Sequence, residues 1–185
     1  MVYFAYSHVA FVTLLAFAAI NSGESMKAAE IKKRIAKTEQ KLPEAIAEVE
    51  AAEKRVQIIE EKILSQNASL RGKLGNYTDC LETAYKYMWG MHTFTHMADD
   101  LRELNDGTLG DMITCCRQQS SAYNEKVEAF HVDKCRANLG SVNQTDLQEL
   151  KTQIEGVFYH NSWLSTEIFY KNLNTTLLKT LTGEI

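Results

Sequence analysis

Two cysteines placed symmetrically about a glycine-rich turn limit the folds open to this chain. The numbers of Cys80 and Cys135 sum to 215, so they mirror each other about position 107.5, inside Asn105-Asp106-Gly107-Thr108-Leu109-Gly110. In an antiparallel helical hairpin running roughly from Asn76 to Asn138, residues related in this way face each other. A bridge needs Cα atoms about 5.5 Å apart, a spacing that packed helices supply with little adjustment. The expectation is an all-α protein: an elongated antiparallel bundle of about four helices, stapled by this disulfide.

The first helix is written in a second pattern. Ile31, Ile35, Thr38, Leu42, Ala45, Val49, Ala52, Val56, Ile59 and Ile63 alternate steps of four and three, a coiled-coil-like seam with charged residues between. Pro43 interrupts it, removing one helical hydrogen bond and crowding the carbonyl four residues back. Because the seam keeps register across Pro43, one kinked, nearly continuous helix is expected, ending near Gln66 to Gly75. A second helix, about Asn76 to Leu104, sets Tyr77, Leu81, Ala84, Met88, Met91, Ala98 and Leu101 near one face. A third, Asp111 to Asn138, has a poorer apolar face of Ile113, Tyr123, Val127, Phe130 and Val132. The fourth should start at Thr145, with Gln148 completing a capping box, and run through Leu150, Ile154, Val157, Leu164 and Ile168 to Leu181.

Short connections make neighbouring helices antiparallel. Hairpin arms of this kind are about 42 to 44 Å long, and the first and fourth helices are longer. Residues 26–42 and 168–181 should therefore pair at the hairpin-tip end, outside the four-helix layer, or present a groove there.

Residues 1 to 22 carry no Lys, Arg, Asp or Glu and run apolar from Val9 to Ile20, the pattern of a signal peptide, with a single bundle domain following over 26–183. An uncleaved anchor is the other reading, because Met1 to Ile20 is nearly long enough to span a bilayer. Four sequons follow, at Asn67, Asn76, Asn143 and Asn174, and with an even number of cysteines they agree with an extracellular, N-glycosylated product. No second hydrophobic span appears, so stable membrane insertion of the mature chain is not expected. The net charge of −4 gives no reason to expect nucleic acid.

Cys115 and Cys116 are left over. In a continuous third helix, Cys135 lies about 28 Å from Cys116, too far to bridge. The neighbouring pair either stays free, links two chains, or exchanges partners with the staple if the helix breaks near Ser120-Ser121. A homodimer through these thiols or through the helical seam is one possible assembly.

His92 and His96 are spaced so that both rings can face one ion, with Asp100 a turn later and Cys115 and Cys116 opposite by the mirror rule. Many helices share that spacing without binding metal, and an oxidising compartment disfavours thiolate ligands. The commoner meaning is a pair of histidines at the edge of the core, so no metal and no cofactor is assigned. Six basic and two acidic residues lie between positions 27 and 41. Such a face can hold sulfated glycan or anionic lipid, but more often it is simply solvated. The acidic stretch after Pro43 has the same bland meaning.

No nucleophile elbow, metalloprotease helix, phosphate-binding loop or dinucleotide fingerprint is present, and an enzyme is not expected. Two functions remain. One is an extracellular interaction or effector protein, of the kind found in saliva, venom or seminal fluid, that binds a macromolecular partner through its helical flanks. The other is a carrier of a small apolar ligand, with Tyr85, Met88, Trp89, Met91, Phe158, Trp163 and Phe169 around a pocket between helices.

Overall fold

The computed structural model describes residues 28–103, 109–137, 139–140 and 142–184. The leader over residues 1–22 and the centre of the hairpin turn lie outside them. Among the described residues there are four α-helices and no strand: α1 (Ala28–Gln66), α2 (Arg71–Glu103), α3 (Gly110–Ala129) and α4 (Gln144–Thr182). Single 3-10 turns lie at Ala68–Leu70 and Val132–Lys134.

α1 runs through Pro43 without a break, and eight of the ten seam residues are buried, with Ile35 and Leu42 half-buried. Pro43 itself is exposed. Its ring and the carbonyl it leaves unbonded therefore sit on the water side, where solvent satisfies what the helix loses. The seam packs on α4 in antiparallel register. Residue numbers sum to 208 at Lys41–Glu167, Arg55–Gln153 and Lys62–Asp146, each joined by a side-chain hydrogen bond. Lys171 Nζ adds an ion pair 3.2 Å from Glu39 Oε1, so the expected pairing of the ends of α1 and α4 is present over the described residues.

α2 and α4 run parallel with a constant offset. Tyr85 bonds Glu155 and Tyr170 bonds Asp100, each 70 positions apart. The close helix approaches are thus α1 on α4, α4 on α2 and α2 on α3. The core changes its third member along the way. Near the α1–α2 connection, Val56, Ile59 and Ile63 of α1 meet Leu74 and Leu81 of α2 and Leu150 and Ile154 of α4. Toward the hairpin tip, Met112 and Cys116 of α3 meet Phe94 and Leu101 of α2 and Phe169 and Leu173 of α4.

Cys80 and Cys135 are bridged, with Cα atoms 5.7 Å apart. The pair is the one the mirror symmetry predicts, but the third helix, expected to run to Asn138, stops short of Cys135. α3 ends at Ala129, and Cys135 sits in extended backbone (φ −75°, ψ 111°). Competing local bonds stop the helix. Lys134 Nζ donates to the carbonyls of Glu128 and Ala129, and the His131 ring accepts from the Asp133 amide. The Lys134 bonds satisfy carbonyls that a helix end leaves orphaned, the His131 bond starts the following 3-10 turn, and Phe130, 51% exposed, packs back on the Tyr87 ring at 5.5 Å.

Two other boundaries differ from expectation. α2 begins at Arg71, because only Asn67 and a 3-10 turn separate it from α1, and Gly72 and Gly75 lie inside it. α4 is capped by Asn143, whose Oδ1 accepts from the Thr145 amide at 2.9 Å, rather than by Thr145. At its far end Gly183 (φ 72°) closes α4, its amide meeting the carbonyls of Lys179 and Thr180.

Candidate functional site: a groove between α2 and α4

The parallel offset of α2 and α4 aligns two short rows of side chains at helical spacing. Trp89, His92, Thr93, His96 and Asp100 project from α2. Tyr159, Ser162, Trp163, Thr166, Glu167 and Tyr170 project from α4, and Lys41 of α1 closes one side. Where the two helices meet, the residues are small: Thr93 and Ser162 hydrogen-bond through their hydroxyls. Aromatic side chains stand on either side of this floor. Small residues below and large ones above make a groove of about 430 Å³, within the ordinary range for ligand sites.

Its walls are held by specific contacts. Tyr159 packs edge-on against Trp89 with ring centroids 5.1 Å apart, and His92 lies 5.6 Å from the same indole. Lys41 Nζ sits 5.7 Å from the Trp163 ring centroid while pairing with Glu167 at 2.9 Å. Tyr170 donates to Asp100 Oδ2 at 2.7 Å, and burial together with that carboxylate pushes its phenol well above the ordinary range. One feature is left open toward a ligand. Tyr159 and Trp163 are 42% and 48% exposed, unusual for rings of this size. Trp89 Nε1 is buried with no hydrogen-bond partner among the described residues.

The groove gathers two of the seven residues proposed for an apolar pocket, Trp89 and Trp163. Tyr85 and Phe158 are buried in the core beside α1, with Met88 packed against them. Phe169 is buried in the core beside α3. Met91 is half-buried, its carbonyl accepting from Thr95 and Ser120 hydroxyls. An aromatic and methionine stripe does not distinguish filled core from cavity lining, and here most of it is filled core.

His92, His96 and Asp100 do share one wall, but Asp100 is engaged by Tyr170, and among the described residues no group of three His, Cys, Asp or Glu could hold a metal ion. Cys115 and Cys116 are both unbridged. Cys116 is buried, and burial pushes its thiol up to about 12, with Cys115 raised for the same reason, so neither supplies a thiolate readily.

The sequence did not single out Thr93, Tyr159, Ser162, Thr166, Glu167 or Tyr170, and it placed Lys41 only in the basic face of residues 27–41. The spacing of the α4 residues was visible, but the partner row was not, because the offset between parallel helices has no sequence signal. A second cleft of about 250 Å³, between α1, α2 and α4, was also missed. Glu60 and Glu82 line it, both raised by burial and then by neighbouring carboxylates, Asp79 foremost. Glu60 thus departs from the purely solvated role expected of the acidic stretch. His160 Nδ1 lies 3.0 Å from Glu48 Oε2, but off the direction of a good hydrogen bond.

No family model matches the chain, and no match was found among curated proteins or solved structures. The groove is read from its own chemistry.

Proposed function

We propose that this chain is a secreted, N-glycosylated helical protein that binds an extracellular partner through the groove between α2 and α4. The observation that carries the reading is the pair of half-exposed rings, Tyr159 and Trp163, one helical turn apart on the lip of a concave surface. Large exposed aromatics are enriched where proteins are recognised and costly elsewhere. The charge-free apolar leader, the four sequons and the disulfide support an extracellular setting.

The test begins with the full chain expressed in a secretory cell line. Release of a glycosidase-sensitive, shortened product into the medium is the expected result, and retention of the full-length chain in the cytosol ends the extracellular reading. A photo-crosslinking residue is then placed at Tyr159 or, as control, at Ile58, which is 55% exposed on α1. Partner recovered from Tyr159 and not from Ile58 supports the groove; equal recovery from both ends it. Native mass spectrometry of the released, deglycosylated protein tests the carrier alternative, for which a bound mass of small apolar size is required.

A further inference from the structure

The lining of the groove is more selective than its shape, and its charged groups already have partners. Lys41, its one lysine or arginine among the described residues, is held by Glu167 and lies near the face of Trp163. Asp100 accepts from Tyr170. What remains to meet a ligand is polar or aromatic: the imidazoles of His92 and His96, the rings of Tyr159 and Trp163, and the lone pairs of the Ser162 and Thr166 hydroxyls, the first already bonded to Thr93 and the second donating to the Ser162 carbonyl. An anionic ligand would meet Asp100, whose charge no lysine or arginine of the described lining offsets, and a Lys41 already paired with Glu167, an unfavourable setting. A purely apolar ligand would strip water from imidazoles and hydroxyls without replacing those hydrogen bonds.

We propose that the groove takes a neutral oligosaccharide chain. Such a chain carries apolar C–H faces that stack on aromatic rings and hydroxyls that both donate and accept, the two properties this lining offers together. Tyr159 and Trp163 stand about 6 Å apart along the axis of α4, comparable with the length of one sugar unit, so successive units meet successive rings. On the facing wall, Trp89 keeps its Nε1 buried and without a hydrogen-bond partner among the described residues, beside the His92 ring. A buried donor left unmade costs stability, so this wall holds a polar group that the chain itself does not satisfy. This inference rests on the groove being the binding surface and names the chemistry of what binds there.

The molecule carries its own reporter, because both of its tryptophans, Trp89 and Trp163, line the groove. The secreted protein is applied to a printed array of neutral oligosaccharides with sulfated ones for comparison, and the strongest neutral binder is titrated while tryptophan emission is followed. The expected result is a saturable change in emission, with affinity falling at least about tenfold in Trp163→Ala and largely kept in Trp163→Tyr. Trp163 is half-exposed, so both variants should fold, which an unchanged far-ultraviolet circular dichroism spectrum verifies. Binding to sulfated chains alone, no binding to any neutral chain, or binding indifferent to Trp163→Ala overturns the proposal. In those cases the Tyr159 crosslink separates the two levels: a protein recovered there keeps the groove as a binding surface with another class of partner, whereas no specific crosslink removes both.

Discussion

Three glycines in one helix are predicted to answer the same substitution in opposite ways. Gly72 and Gly75 of α2 have nothing within 4 Å of where a Cβ would stand. Alanine at either should stabilise the protein by about 1 kcal/mol through helix propensity alone. Gly90 gains the same propensity, but its Cβ would come 2.5 Å from Tyr123 Cε1. The Tyr123 ring cannot swing aside freely, being packed between Tyr87 and Phe94 at centroid distances of 6.0 and 5.8 Å. Gly90→Ala should therefore destabilise by about 1 to 3 kcal/mol, as overpacked sites do. Urea unfolding of the three variants measures the difference, and a stabilised Gly90→Ala would show that α3 is seated some other way. This was not legible in the sequence, where Gly90 reads only as a weak point in a helix. What makes it a contact is the approach of α3, fixed by Tyr123 and by a disulfide ten residues away on α2.

At the level of the elements, the staple and α3 depend on each other. α3 buries only Met112 and Cys116, and the segment after it is held to α2 by Cys80–Cys135. Closing a loop across 55 positions should contribute about 4 kcal/mol by restricting the unfolded chain. The double substitution Cys80→Ser with Cys135→Ser should lose most of that, and hydrogen exchange should rise first in α3 and in residues 130–137. A uniform rise across all four helices would contradict the division of the core described above. The cleft between α1, α2 and α4 gives a pH prediction. Burial raises the carboxyls of Glu60 and Glu82 in the folded state. The folded protein then holds those protons at a pH where the unfolded chain has lost them. The stability they contribute is therefore complete below the unfolded carboxylate range and falls as pH rises through the folded values. Glu82→Gln should be more stable than the parent near pH 7, with the difference shrinking toward pH 4, as thermal melts across that range would reveal. The seam of α1 was legible because a period of seven repeats over many turns. The end of α3 was not, because it is decided by Lys134 and His131, whose bonds to nearby backbone carry no periodicity.

For the molecule as a whole, the sequons divide by burial. Asn76 and Asn143 are exposed, Asn67 is half-buried at the α1–α2 connection, and Asn174 is 7% exposed with its Nδ2 donating to the Tyr170 carbonyl. A sugar on that nitrogen cannot coexist with α4 packed as it is. Peptide mapping of the secreted protein should find glycan at Asn67, Asn76 and Asn143 and none at Asn174. Finding Asn174 occupied would mean that the end of α4 is not seated in the bundle. The order of the helices along the chain has a consequence of its own. α4 is the last of the four to be synthesised, yet it lies between α1 and α2 and contributes to both halves of the core. Until it emerges from the ribosome, the long seam of α1 and the apolar face of α2 have no third surface to close against. The seam of α1 therefore stays uncovered until α4 has been synthesised, and until then the nascent protein is in the care of whatever chaperones meet it.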